Sequence, residues 1–387
     1  MIPFRYNLRS ILARKATTAA TAFGIALVVF VLASALMLSA GIKKTLGASG
    51  RADNAIVMRT GSDAELNSSF DTTSVGLVLA APGVKRDDKG APIGVGEVVL
   101  VLALEKLGDP GITNVFLRGV PETALAFRPS ARVVSGRAPR PGSDEVLVGK
   151  RLRGRFKGFE VGQSFELRKN RSVSVVGILE DEGSSYESEV WADVDTVRTG
   201  LGREGLVSSV RARLESPAKF DAFKASVESD KNLGFEVTRE TTFLEKQSEG
   251  VSIFVTALGS VIAFFFSIGA MIGAMITMYG SIASRQREIG TLRALGFPRW
   301  QILVAFLLEC SVLSLFGGAL GAAAAIAMRF VSFSMINFTS WSEIVFTFEP
   351  TPAILLMSLM FALAMGVFGG LLPAIRAARV SPIQAMR

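Results

Sequence analysis

The sequence predicts an α-helical membrane protein with four transmembrane helices and a large α+β extracytoplasmic domain between the first and second of them. Three observations predict it. Four long apolar runs are almost free of charge, the more polar residues 43–249 separate the first run from the second, and that polar stretch alternates short β-rich runs with helix-like ones.

The apolar runs are Ala16–Ile42, flanked by Lys15 and Lys43; Gly250–Ser284; Cys310–Met328, extended back toward Gln301; and Pro350–Ile375. A helix rises about 1.5 Å per residue, so roughly 20 apolar residues cross the hydrocarbon core. Lipid offers the backbone no hydrogen-bond partner, and apolarity without inside-outside alternation excludes barrel strands. A cleaved signal peptide is the alternative for the first run, because Arg5, Arg9, Arg14 and Lys15 precede it and Ser39-Ala40-Gly41 follow. The run exceeds the roughly 7–15 residues of a signal core, so an uncleaved anchor is expected. Ahead of it, Phe4, Leu8, Ile11 and Leu12 fall on one helical face and Arg5, Arg9 and Lys15 away from it, which predicts an amphipathic helix over 1–15 at the cytoplasmic surface.

Lys and Arg near span ends set orientation. The N-terminal tail carries four and no acid; Arg285, Arg287, Arg293 and Arg299 stand between the second and third spans; Arg376, Arg379 and Arg387 close the chain. The connection between the third and fourth spans has Glu343 and Glu349 and no basic residue after Arg329. Both termini are therefore expected in the cytoplasm, with 43–249 outside. The predicted boundaries are 1–15 amphipathic helix, 16–42 span, 43–249 outer domain, 250–284 span, 285–300 cytoplasmic segment, 301–329 span, 330–350 short outer loop, 351–375 span and 376–387 cytoplasmic tail.

The net charge of +8 comes largely from these membrane-proximal residues, so no nucleic-acid partner is expected, and membrane lipid is. The single cysteine, Cys310, lies in the third span, leaving the outer domain without disulfides, and the chain has no histidine. That removes Ser-His-Asp and Cys-His catalysis and histidine metal ligands together.

In the outer domain, Ala55–Arg59, Gly94–Leu104, Ile112–Val120, Ser172–Leu179 and Leu206–Leu214 read as strands, and Pro217–Glu228 as a helix with Phe220, Phe223 and Val227 on one face. The loop-like cluster Gly136–Gly142 divides the domain, and Glu145–Val148, Gln163–Arg168 and Ser172–Leu179 predict a compact β-rich insert over about 131–204. Asp181, Glu182, Glu187 and Glu189 could gather a divalent cation, but a solvated Gly-Ser-rich loop explains them more simply. Gly142–Lys150 faintly resembles a phosphate loop, yet its spacing is wrong and Arg151 follows the lysine where Ser or Thr is required. No catalytic site, cofactor site or metal site is expected, and no ATPase within the chain.

Ser284–Gly296 is a charged helical stretch with Ile282, Ile289, Leu292 and Leu295 toward one side, ended by Gly296 and Pro298. By itself it is an interfacial helix. Glu309 lies inside the third span, where a charge costs on the order of 2.5–3.5 kcal/mol and needs a partner; Thr277 or Tyr279 of the second span is expected nearby, with structural hydrogen bonding favoured over a proton relay. Gly269 with Gly273, Gly317 with Gly321, and Gly366 with Gly370 are small-residue pairs for close helix packing within one subunit. No span carries a line of polar groups that would make an aqueous pathway.

Arg287-Glu-Ile-Gly-Thr-Leu-Arg-Ala-Leu-Gly296, Phe297-Pro298, Phe306-Leu-Leu-Glu309 and Leu372-Pro-Ala-Ile-Arg-Ala-Ala-Arg-Val-Ser-Pro382 resemble the FtsX-like permease domain of MacB-type ABC transporters. The resemblance covers roughly 250–387, and residues 1–249 fit the family's N-terminal half by layout. It implies a permease of the bacterial inner membrane, dimeric through its first span and more often a homodimer than a heterodimer. A separate ATPase dimer would bind ATP and Mg, since only fifteen residues precede the first span here. The segment matching Arg285–Gly296 would be the coupling helix, with Arg285, Arg287, Glu288 and Arg293 as candidate ion-pair partners and Ile289 and Leu292 packed against the ATPase or the bilayer. The N-terminal helix would sit beside the ATPase, and Glu309 would serve helix packing. The implied function is mechanotransmission that drives substrate export with a periplasmic adaptor and an outer-membrane duct. The alternatives are lipoprotein or lipid extraction and FtsX-like control of a cell-wall hydrolase; the large outer domain favours export.

Overall fold

A computed structural model describes residues 15–47, 50–108, 111–230, 233–336 and 342–380. The predicted N-terminal amphipathic helix and most of the C-terminal tail lie outside the described residues. The chain divides into two compact units. One holds the described residues up to Gly41, Ile253–Val331 and Thr347 onward; the other holds Ile42–Ser252 and Ser332–Phe346.

In chain order the elements are α1 (Lys15–Gly47), β1 (Asn54–Arg59), β2 (Phe70–Asp71), α2 (Thr73–Ala80), β3 (Gly94–Glu105), β4 (Ile112–Val120), α3 (Ala124–Phe127), β5 (Arg132–Gly136), β6 (Glu145–Gly149), β7 (Ser164–Arg168), β8 (Arg171–Glu180), β9 (Glu189–Asp193), α4 (Val194–Leu201), β10 (Leu206–Val207), β11 (Ser209–Arg213), α5 (Phe220–Glu228), β12 (Phe235–Arg239), α6 (Glu240–Ser284), α7 (Gln286–Ala294), α8 (Arg299–Ala327), β13 (Ser332–Ile336), β14 (Glu343–Thr347) and α9 (Pro352–Ala378).

Among the described residues α1, α6, α8 with its following turn, and α9 are long and apolar enough to cross a membrane. The helix α6 is 45 residues long and begins at Glu240, ten residues ahead of the apolar run, because Glu240–Glu249 is polar yet helix-favouring. Unbroken apolarity located the run, and the polar extension carried no such signal.

Close backbone approach organises the helical unit. A Cβ on Gly317 of α8 would stand 2.6 Å from the Ala22 carbonyl oxygen of α1, and one on Gly321 would strike the Ala26 carbonyl. On the other side of α8, a Cβ on Gly370 of α9 would meet the Cys310 sulfur at 2.5 Å, and one on Gly366 would strike the Ser314 hydroxyl. Against the expectation of packing within one subunit, a Cβ at Gly269 or Gly273 of α6 meets nothing within 4 Å. These two glycines, with Gly24 of α1 and Phe265 and Phe266, border an open groove of about 390 Å³. Above and below it α6 touches α1 through hydroxyl pairs, Thr256 to Ser39 at 2.9 Å and Thr277 to Thr21 at 3.0 Å.

The outer unit is built on one ten-stranded mixed sheet in the order β12-β1-β11-β3-β4-β9-β6-β8-β5, with β7 on β8. The predicted insert over 131–204 is not a separate body. Its strand β9 pairs in parallel with β4, Phe116 opposite Glu189 and Arg118 opposite Trp191, which fuses both halves of the domain. One hydrophobic core accordingly mixes Val98, Leu102 and Leu117 with Val146, Val148, Phe159 and Val190. A second core joins Ala55, Val57, Val210 and Val237 with Phe220, Phe223 and Val227 of the helix α5.

The loop expected over 330–350 carries the two-stranded sheet β13–β14, and most of it belongs to the outer unit. Glu343 pairs with Lys106 at 2.8 Å, with Arg155, and accepts the Thr113 hydroxyl at 2.7 Å, while the Val345 N–H donates to Ser188 and its carbonyl accepts from Arg151. Glu343, an acid read as topology charge, is thus a docking contact.

Candidate functional site

Two polar constructions stand out, one in each unit. In the helical unit, α6 ends at Ser284 and Arg285 takes φ −111° and ψ 15°, outside helical geometry, before α7 starts. That break re-aims the chain. Ile289 turns inward and joins Met278, Ile282, Ile302, Phe306, Ala374 and Ala377 in a buried apolar cluster. It therefore packs against its own bundle, contrary to the expectation that it would meet an ATPase or lipid.

Arg285 also turns inward. Its Nη1 donates to Glu309 Oε2 at 3.1 Å, its Nε donates to Glu288 Oε2 at 3.3 Å, and the guanidinium lies over the Phe306 ring at 5.4 Å. Arg285 is thus a partner of Glu309 that the sequence reading did not name, and Thr277 of the second span lies near it as expected. Thr277, Thr21 and Ser281 line a cavity of about 50 Å³ beside the Glu309 carboxylate. A buried carboxylate in an apolar span needs a cation or donors, and the kink delivers a cation.

The outward side of the segment holds Arg287, Glu288 at 58% side-chain exposure, and Thr291. Leu292 and Arg293 are half-buried, and the Arg293 Nη1 donates to the Phe297 carbonyl. Leu295 is 72% exposed, and Trp300 at the start of α8 is 56% exposed. Leu295 does not share a face with Ile282 and Ile289, because the segment leaves α-helical geometry after Ala294 and Gly296 turns at φ +92°. This leaves an exposed surface with charges of both signs and two large apolar side chains, on a base fixed by Ile289 and Arg285.

The outer unit contains a construction that sequence reasoning missed. Side chains two residues apart share a sheet face. The registers place Glu97 of β3, Arg118 of β4, Glu189 of β9 and Ser209 with Arg211 of β11 on one face of four adjacent strands. Glu65 and Glu240, the first residue of α6, close over them. All six charged groups are buried.

Arg118 donates to Glu189 at 2.7 and 2.9 Å, to Glu97 at 2.9 Å and to Glu65 at 3.1 Å. Arg211 donates to Glu65 at 2.8 and 3.0 Å and to Glu240 at 3.0 Å. Glu240 also accepts from Asn54 Nδ2 and the Arg51 N–H. Arg128 approaches Glu97 to 2.7 Å without hydrogen-bond alignment and sits over Tyr186 and Trp191 at 4.9 and 5.4 Å. Burial pushes the Glu65 carboxyl up, but the Arg118 and Arg211 charges outweigh it and hold the group well below the usual carboxylate range. Burial likewise acts on Glu97, and Arg128, Arg211 and Arg118 together depress it. The signal available in the sequence was an acid or arginine inside each of several apolar strands, as in Gly94–Glu105 and Ile112–Val120.

The acidic cluster expected to be a solvated loop is another correction. Asp181, Glu187 and Glu189 are buried, leaving only Glu182 exposed. Glu187 accepts the Asp181 and Gly183 N–H groups and pairs with Arg151 at 3.2 Å, Ser184 donates to Asp181, and Glu189 takes Arg118 and the Trp191 indole. Each acid is buried because the chain supplies donors to it. Gly142–Lys150 contains the strand β6, and Lys150 pairs with Glu180.

Comparison with known proteins places both units. The family model of the FtsX-like permease C-terminal domain matches residues 260–382, and that of the MacB-like periplasmic core domain matches residues 17–230. The uncharacterized ABC transporter permease YknZ of Bacillus subtilis is 28% identical over 225 residues, 56% of this chain and 54% of that protein. The macrolide export ATP-binding/permease protein MacB of Escherichia coli strain K12 is 27% identical over 231 residues, 56% of this chain and 34% of that protein. Its counterpart in Hyphomonas neptunium is 30% identical over 222 residues, 55% and 33%. The chain thus spans about half or less of the length of these curated relatives. Among solved structures, the extracellular domain of the YknZ transporter aligns over 48% of this chain and 99% of its own at 17% identity and a TM-score of 0.35. The periplasmic region of MacB from Actinobacillus actinomycetemcomitans aligns over 53% and 96% at 11% identity and a TM-score of 0.38. The MacB-like model alone covers more than half of the sequence and the FtsX-like model most of the remainder, so the chain belongs to the MacB/FtsX-like family of ABC transporter permeases.

Proposed function

We propose that this permease is the non-catalytic membrane subunit of an ATP-driven complex in the bacterial inner membrane. A separate cytoplasmic ATPase dimer binds ATP and Mg and docks on α7, and two copies of the permease convert its cycle into motion of the periplasmic unit. The observation that carries this reading is the exposed side of the stretch from α7 to the start of α8: Arg287 and Glu288 of α7, Leu295 just after it and Trp300 of α8 are exposed, on a stretch whose inner side is fixed. A stable docking surface combines apolar anchors with charges that set register.

Chain continuity supports the mechanical part. The first residues of α6 belong to the outer unit and the remainder to the helical unit, and α1 passes between the units in the reverse sense. A helix without a break carries displacement along its length, the basis of rigid-body switching. The groove bordered by Gly24, Gly269 and Gly273 suits a second copy, since small residues let helices approach closely in lipid. Both termini are cytoplasmic in this reading, and the cycle drives export of a substrate with a periplasmic adaptor and an outer-membrane duct.

Purification of the chain from its native membrane in nanodiscs, with mass spectrometry of every bound protein and lipid, tests the proposal. An ATPase with an adaptor or duct supports export. An ATPase with a second permease and lipoproteins moves the reading to lipoprotein extraction, and one with a wall hydrolase moves it to FtsX-like regulation. Absence of an ATPase overturns it.

A further inference from the structure

We propose that the Arg285–Glu309 ion pair is the strut through which α7 moves α8, so that the docked ATPase acts on the third apolar helix directly and not only through α6. The proposal rests on the docking reading above and assigns positioning roles to Arg285 and Glu309.

Three observations converge on it. First, the pair bridges the kink. Arg285 is the residue between α6 and α7, its side chain is 8% exposed, and it holds Glu309 of α8 at 3.1 Å, 24 residues along the chain. The same guanidinium holds Glu288, on the outward side of α7, at 3.3 Å. One cation therefore joins a carboxylate on the docking surface to a carboxylate inside the bundle.

Second, the pair is a directional contact that ties α7 down. Ile289 contributes apolar packing, which is non-directional and tolerates sliding. A charge-assisted hydrogen bond in a poorly hydrated site fixes distance and angle, and its breakage leaves an uncompensated charge.

Third, α8 is seated on two helices and can pass a displacement to both. Gly317 and Gly321 seat it on α1 with backbone against backbone, and Gly366 and Gly370 seat α9 on it. By contrast, α6 borders the open groove at Gly269 and Gly273. Movement delivered at Glu309 reaches three helices at once, while movement delivered along α6 passes that groove first.

The test uses the full-length permease in nanodiscs with the ATPase that co-purifies with it. The variants are Glu309→Gln, Arg285→Gln, the reciprocal Arg285→Glu/Glu309→Arg, and Ile289→Ala as a packing control. Three quantities are read: ATPase affinity, thermal unfolding, and the nucleotide-dependent change in hydrogen exchange of residues 50–230. Each single charge variant is expected to keep ATPase affinity within about twofold while its nucleotide response falls roughly tenfold, and the reciprocal variant is expected to recover most of that loss. Ile289→Ala is expected to unfold at lower temperature yet keep its response, which separates transmission from stability.

A full response in Glu309→Gln, or loss in Ile289→Ala equal to that in the charge variants, overturns the strut. A reciprocal variant that folds and binds ATPase without recovering the response also overturns it. If the unaltered permease binds ATPase but shows no nucleotide response, or binds none, the docking reading falls and takes the strut with it.

Discussion

Arg118 and Glu189 meet because β4 and β9 run in parallel: Arg118 lies opposite Trp191, and Glu189, two residues earlier, falls on the same face with its Oε2 2.7 Å from Arg118 Nε. This pair sits at the seam between the two halves of the outer sheet. A single register thus determines both how the halves join and which cation Glu189 meets.

Replacing Arg118 with Met leaves Glu65, Glu97 and Glu189 short of a shared cation. Breaking a buried pair from one side costs about 3–5 kcal/mol, and a network exceeds a single pair. The outer unit is expected to lose at least that stability in urea unfolding followed by Trp191 fluorescence. Arg118→Lys is expected to recover little, because a lysine cannot present the fork that serves three carboxylates.

The β13–β14 connection is expected to loosen in acid. Burial pushes the Glu343 carboxyl up, but hydrogen bonds from Lys106, Ser334 and Thr113 and the Arg155 charge outweigh it and hold the group at about 2. A folded value below the unfolded one gives stability that is complete above the ordinary glutamate range, near 4.3, and is lost as pH falls through about 2. Hydrogen exchange of residues 343–347, corrected for intrinsic rate, should accelerate across that window. Glu343→Gln should accelerate it at neutral pH and flatten the dependence.

Two glycine substitutions are expected to differ sharply. In Gly321→Ala the new methyl meets the Ala26 carbonyl, which is backbone and cannot turn aside, so overpacking of about 1–3 kcal/mol is expected as a lower melting temperature. Gly269→Leu meets open space, so the monomer should melt unchanged. Native mass spectrometry should instead show less dimer if the groove holds a second copy.

On the docking side, Arg287→Glu with Leu295→Asp reverses one charge and removes one apolar anchor, both exposed. Truncation of an interface anchor costs about 2 kcal/mol or more. ATPase affinity is expected to fall at least thirtyfold, about 2 kcal/mol, with the permease's own melting temperature unchanged. Retained affinity would remove α7 from the docking surface.

The sequence by itself determined the four apolar helices, the position of the outer domain between the first two, and the charged helical segment after the second. Each of these is written in local runs of 10 to 30 or so residues, where apolarity, a Gly-Pro stop or a helical period can be read directly. Only the tertiary structure decided what the charges do. Glu65 and Arg211 are separated by 146 positions and Glu343 and Arg155 by 188, so no local window contains both partners, and Arg285 and Glu309 meet across a helix break that apolarity does not mark. Glu187 and Glu189 resembled a solvated loop for the same reason, since their arginine partners Arg151 and Arg118 lie far along the chain. A carboxylate is stable inside a protein only where donors converge on it, and strand order and a helix break bring those donors together.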